Sequence, residues 1–155
     1  MHELIDKLSL LPHPEGGFYR ETYRSSHEVL WNGEKLSAGT AILFLLLKGQ
    51  KSWCHRIPQD EIWHFYEGDP LELVYFNEVD LKFHSVILSN EIRTCTVPGG
   101  WWQAARPLGN YSLIGCTVSP GFEFRFFELL SADYNKRELF RKTMADFRKF
   151  EDFSS

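Results

Sequence analysis

Residues 52–68 read SWCHRIPQDEIWHFYEG. In an extended chain alternate side chains share a face. Trp53, His55 and Ile57 therefore point one way, and Cys54 and Arg56 the other. Past Pro58, Glu61, Trp63 and Phe65 share one face of a second strand, and Gly68-Asp69-Pro70 closes it with a turn. A second stretch, VPGGWWQAAR over 97–106, opens on a Pro-Gly-Gly turn and then puts Trp101, Gln103 and Ala105 on a common face. These segments predict short strands whose shared faces carry histidine, carboxylate and amide among tryptophans.

The same texture extends outward. Runs rich in β-branched and aromatic residues, broken by Gly, Pro, Asn and Asp, predict strands at 18–25, 40–47, 51–57, 61–66, 71–77, 81–88, 93–97, 101–106, 111–118 and 122–129. With few helices between them they give an all-β sandwich or barrel, not a parallel α/β sheet. Leu4, Ile5, Leu8 and Leu11 have helical spacing, so residues 2–11 form a helix that Pro12 and Pro14 stop before the Gly16-Gly17 turn. Leu139, Phe140, Met144, Phe147 and Phe150 recur at three to four residues among Lys136, Arg137, Arg141, Lys142, Arg148 and Lys149. That predicts an amphipathic helix over 135–150, packed on the strands with its charges in solvent. Neither repeat nor linker interrupts the chain, so residues 1–155 read as one domain.

The bulk properties bound the function. The chain has 155 residues, enough for a core without disulfides, and 15% are aromatic, which suits strands and pocket walls. A formal net charge of -4 offers no basic patch for nucleic acid and no polybasic footprint for a membrane surface. Cys54, Cys95 and Cys116 are odd in number and widely spaced, which argues against disulfides and zinc knuckles. The N-terminus lacks the pattern of a signal peptide, and the longest apolar run, Ala41 to Leu47, is too short to span a bilayer. The expected compartment is cytoplasmic.

Two motifs resemble those of the cupins. Gly49-x5-His55-x-Ile57-x3-Glu61-x6-Gly68 matches the first cupin motif except at its second histidine, where Ile57 stands. Pro98-x-Gly100-x2-Gln103 matches the centre of the second motif with Gln in place of His, while Pro107 and Ile92 replace its Asn and leading Gly. More narrowly, HPEGGFYRETYRS (13–25), DEIWHFYEGDPLEL (60–73) and PGGWWQA (98–104) resemble a group of small RmlC-like cupins without a settled activity. The resemblance covers residues 4 to about 130. It implies a double-stranded β-helix, the cupin jelly roll, over 18–130 with short N- and C-terminal helices, and a homodimer.

Carried over position by position, the resemblance leaves His55, Glu61 and Gln103 of a metal set that in cupins is three His and one Glu. Ile57 cannot ligate, and Gln103 offers only a neutral carbonyl oxygen. His64 is a candidate replacement ligand, although strict alternation puts it opposite Glu61 unless a bulge intervenes. A divalent transition metal is thus a candidate cofactor with an incomplete ligand set. His55 alternatively sits where RmlC-like epimerases hold their base, with Asp60 or Glu61 to orient it. The matching acid would be a tyrosine, and Tyr19, Tyr23, Tyr66, Tyr75 and Tyr111 are all candidates.

Arg20 and Arg24 share a face by alternation with Phe18 and Thr22. Either one binds an anionic group of a ligand, or they pair with Glu21. Trp53, Trp63 and Trp101 either stack on a ligand or fill the core. Glu15 is a possible pocket group within a segment that otherwise shapes a turn, and Cys54 and Cys116 read as small buried apolar residues. Three functions stay open. The first is an isomerase or epimerase on a sugar-like or nucleotide-linked molecule, with His55 and Glu61 catalytic. The second is a non-catalytic small-molecule-binding cupin with a degraded metal site. The third is a metal-dependent oxygenase or isomerase.

Overall fold

The computed structural model describes residues 2–144 together with Phe147, Glu151 and Phe153. It is an all-β jelly roll of two antiparallel sheets, flanked by two short helices. A six-stranded sheet runs β1 (Leu11–Pro12), β2 (Phe18–Arg24), β5 (Thr40–Leu47), β12 (Tyr111–Ser119), β7 (Asp60–Gly68) and β10 (Thr94–Val97). A five-stranded sheet runs β13 (Glu128–Leu129), β6 (Ser52–Arg56), β11 (Trp102–Pro107), β8 (Leu71–Phe76) and β9 (Phe83–Leu88). The hairpin of β3 (Glu28–Trp31) and β4 (Glu34–Ser37) stands apart.

Alternation along the strands decides what lies between the sheets. From the six-stranded sheet, Phe44 and Leu46, Trp63 and Phe65, and Ile114 point inward. Leu71, Leu73, Leu88 and Ala105 meet them from the other sheet, and all of these are buried. The outer faces are covered by the helices. Leu4, Ile5 and Leu8 of α1 (His2–Leu8) pack with Leu10 on Leu45 and Leu113. Phe140 of α2 (Tyr134–Thr143), with Met144, Phe147 and Phe153, packs on Cys54, Phe76, Trp102 and Ala104. Asp133 caps α2 by accepting the Lys136 N–H at 2.9 Å. No helix among the described residues is long and apolar enough to cross a membrane.

Nine of the ten expected strands form within one to two residues of their expected ends. The tenth, 122–129, does not. Its alternating aromatics instead make a 3-10 turn at Phe124–Phe126, followed by the two-residue β13. The hairpin of β3 and β4 was not expected, although its Asn32-Gly33 loop takes the positive φ values, 49° and 81°, that a two-residue hairpin turn requires. The N-terminal helix stops at Leu8, three residues early. Ser9 turns left-handed at φ 52°, Leu10 goes into the core, and Leu11-Pro12 pair with β2. In the C-terminal helix Leu139 is exposed, although its spacing placed it on the apolar face. Arg148, Lys149 and Phe150 lie outside the described residues.

Candidate functional site

The inward stripe that is packed at one end of the sandwich is hollow at the other. Thr40 and Ile42 of β5, Cys116 and Val118 of β12, and Glu61 of β7 line a cavity of about 310 Å³. His55 and Ile57 close it from the opposite sheet, and Phe122, Phe124 and Phe127 form a wall beside them. The floor is ionisable. His55, Glu15 and Glu61 are each more than nine-tenths buried.

His55 is fixed in one tautomer. Its Nδ1 lies 2.8 Å from the Trp53 carbonyl oxygen, which only accepts, so Nδ1 carries the proton. Its Nε2 then faces a Glu15 carboxyl oxygen at 3.2 Å. Phe127 stacks on the ring with centroids 5.3 Å apart. Burial depresses the pKa of His55, with Glu61 partly opposing the shift.

Glu15 reaches the floor because the loop before β2 is docked on β6. Its carbonyl accepts the Trp53 N–H at 2.7 Å, and Gly16 lies so close to the Lys51 carbonyl that a Cβ there would sit 2.1 Å from the oxygen. Its second carboxyl oxygen accepts the Ser52 hydroxyl at 2.6 Å. Burial without a compensating cation raises its pKa to about 8. The proton between Glu15 and His55 therefore sits on the carboxyl and is donated to Nε2. His13, two residues earlier, accepts the Glu15 N–H on its Nδ1 at 3.1 Å. Burial, and secondarily His55, lower its pKa to about 3, so the 3.6 Å approach of His13 to the Glu15 carboxyl joins a neutral imidazole to a neutral acid.

Glu61 accepts from the Gln103 amide and from the Cys116 thiol, and burial raises its pKa to about 7. Gln103 is committed at both ends. The Trp63 indole, a donor only, takes its carbonyl oxygen at 2.8 Å, which turns its NH₂ toward Glu61. At the mouth, Arg24 is held by both Glu21 carboxyl oxygens at 2.8 and 2.9 Å, the Phe122 carbonyl at 2.9 Å and Glu123 at 3.3 Å.

The expected site residues divide accordingly. His55, Glu61 and Arg24 line the cavity. Arg24 does so because a bulge between Glu21 and Tyr23 breaks alternation in β2, bringing Arg24 to the side of Glu21 and leaving Arg20 outside. Of the candidate tyrosines, Tyr19 is the one lining the cavity. The three tryptophans do not line it. Trp63 is core, Trp101 packs on Tyr75 and His84 toward the other end, and Trp53 lies under Lys51, 5.4 Å from its ammonium. Asp60 points away and accepts the Gly99 N–H.

His64 is on the outer face, with Nε2 2.9 Å from the Thr117 hydroxyl. The strand stays regular between Glu61 and His64, so no bulge carries His64 inward. The residues present do not fit the cupin metal set. Ile57 is apolar, His64 points outward, and the only oxygen Gln103 offers already accepts from Trp63. Among the described residues no three His, Cys, Asp or Glu side chains are grouped to hold an ion. Sequence reasoning missed His13 and the wall of Phe122, Phe124 and Phe127, and it read Cys116 as plain core. The available signals were the aromatic density of 122–127 and the His-x-Glu spacing at 13–15.

Residues 2–130 match the family model described as Cupin superfamily (DUF985). Among solved structures, the hypothetical protein from Leishmania major is 32% identical with a TM-score of 0.84, covering 96% of each chain. A Shewanella oneidensis protein is 30% identical with a TM-score of 0.82, covering 99% of this chain and 96% of its own. A cupin-2 domain from Rhodospirillum rubrum shares the fold at 14% identity and a TM-score of 0.64, over 93% of this chain and 87% of its own. No curated protein matches. A jelly roll with this sequence signature and these relatives belongs to the cupin superfamily, in the DUF985 family.

Proposed function

We propose that this cupin is a small-molecule proton-transfer enzyme, an isomerase or epimerase that moves a proton at carbon without a metal. The observation that carries the reading is the His55–Glu15 pair. A neutral imidazole with its tautomer fixed by a carbonyl meets a protonated carboxyl at 3.2 Å on the floor of a cavity. Such a pair can take a proton at one group and return it from the other, near neutral pH. Glu15 is the acid: giving its proton to the substrate frees the His55 Nε2 lone pair, which takes the proton from carbon as the base. Return of that proton from Nε2 to the neighbouring carbon, and of one from the substrate oxygen to Glu15, restores the pair. Glu61, the buried carboxyl that Gln103 orients, donates in its protonated form to the substrate oxygen on which negative charge develops. Tyr19, which lines the cavity with its ring edge-on to His13 at 4.6 Å, is the candidate acid on the β2 side.

The test is solvent-deuterium incorporation into a panel of aldoses, ketoses and their amino derivatives, followed by proton NMR. Exchange at one carbon should occur with the wild type and vanish in His55→Ala while the melting temperature holds. Absence of exchange in the whole panel, or its survival in His55→Ala, overturns the proposal.

A second reading is a non-catalytic binding cupin. It is favoured by the full commitment of Gln103 to Trp63 and Glu61, which turns a former ligand position into a structural tie. Native mass spectrometry of fresh protein would then show a ligand that comes off chemically unchanged.

A further inference from the structure

Taking the cavity as the substrate site, the charges around it restrict what can enter. Carboxyls come from every side: Glu15 on the N-terminal loop, Glu21 on β2, Glu61 on β7 and Glu123 on the wall segment. Against them, among the described residues lining the cavity, stands one guanidinium, Arg24, four of whose five N–H donors are already taken by Glu21, Glu123 and the Phe122 carbonyl. The remaining titratable groups facing the floor, His13, His55 and the Cys116 thiol, are neutral. A phosphate or carboxylate entering here would meet a guanidinium whose charge two carboxylates already balance, and would lie among further carboxyls.

We infer that the ligand is a small organic cation, an amine carried on a compact ring or short chain. Its ammonium lies on the floor between Glu15 and Glu61, and its body lies against Tyr19, Phe124 and Phe127. Two buried carboxyls with no fixed cation among the residues lining the cavity are held protonated by burial, and a ligand ammonium between them supplies the charge against which they ionise. Aromatic rings are the uncharged surface that best accepts a cation's flank. The Nε2–H of His13 adds a second feature. The His13 side chain is 6% exposed and its Nδ1 is occupied, so Nε2–H is left to meet an acceptor oxygen on the same ligand. A nucleotide-linked sugar is disfavoured, since its diphosphate would meet one guanidinium already balanced by Glu21 and Glu123 among the described lining residues.

Binding an ammonium favours ionised carboxyls, so it should release protons. Glu61 sits near 7 and Glu15 near 8 in the empty cavity. Affinity for a cation should therefore rise as pH goes from 6 to 8, in the range where these carboxyls ionise.

The experiment uses three probes of one skeleton, benzylamine, benzyl alcohol and benzoate, titrated into the full chain by isothermal calorimetry at pH 6 and 8. At pH 8 it is repeated in two buffers of different ionisation enthalpy. The expected result is benzylamine binding about tenfold or more tighter than benzyl alcohol, no measurable benzoate binding, proton release, and tighter amine binding at pH 8. Glu61→Gln should weaken the amine about tenfold and leave the alcohol unchanged. Glu15→Gln serves as the second variant if the first does not fold. Equal or tighter binding of benzyl alcohol or benzoate, undetectable benzylamine binding at millimolar concentration, or an unaffected Glu61→Gln overturns the inference. The readout involves no turnover. Amine binding without deuterium exchange removes the enzyme and keeps the cation site, whereas exchange confined to neutral or anionic compounds does the reverse.

Discussion

The interior of the sandwich has two halves that share the same strands. Along β5 the inward side chains run Thr40, Ile42, then Phe44, Leu46; along β7 they run Glu61, then Trp63, Phe65; along β12, from the other direction, Val118, Cys116, then Ile114. One half is packed with rings and aliphatic chains. The other is open and carries ionisable groups. Backbone geometry does not separate them. One or two residues per strand do, by exchanging volume for polarity. A half with no cavity gains stability from every buried carbon. A half with buried carboxyls and no cation set against them loses some of it, and such a loss marks a site whose purpose lies outside folding.

Three measurements would break or sharpen this contrast. The largest effect belongs to the packed half. Trp63→Ala should cost about 3–5 kcal/mol in urea unfolding, since it opens a large void and leaves the Gln103 carbonyl without its donor. A cost below about 1 kcal/mol would mean the two halves are equally loose.

The next effect belongs to the hollow half and appears with pH. Glu15 has a folded pKa of about 8 against 4.5 when exposed, so between those values the unfolded chain has lost a proton that the folded one keeps. Stability falls as pH rises across that window. His13, near 3 when folded against 6.5, gives the opposite slope below 6.5. From pH 6.5 to 8 the carboxyl slope is therefore uncompensated, and Glu15 alone removes about 2 kcal/mol. Thermal melts should show a drop of several degrees, flattened in Glu15→Gln, and a rising or level curve would refute the assignment.

The smallest effect is at the cavity mouth. Phe124 is 47% exposed, so Phe124→Ala should shift unfolding by less than about 1 kcal/mol while altering whatever the cavity holds.

Most of the sandwich was legible in the sequence because each strand carries its own alternation and its own turn. The faces of His55 with Ile57, and of Glu61 with Trp63 and Phe65, followed from period two alone. What escaped was where the period breaks. The bulge between Glu21 and Tyr23 reassigns Arg24, and nothing in FYRETYR marks it. FEFRFF alternates as well as any strand does, yet it curls into a 3-10 turn that walls the cavity. Trp63 and Glu61 share a face, but only depth along the sandwich makes one core and the other floor. Glu15 was hardest, because its role depends on a loop docking onto a strand about forty residues later.

That docking has an evolutionary consequence. The partner of His55 is supplied by a short segment outside the jelly roll, held by Gly16 against the Lys51 carbonyl and by one backbone hydrogen bond to Trp53. Drift in residues 13–15 would retune or abolish the acid–base pair without disturbing a single sheet contact. Relatives that keep the barrel and the glycine but exchange these residues would then diverge in chemistry while remaining superimposable.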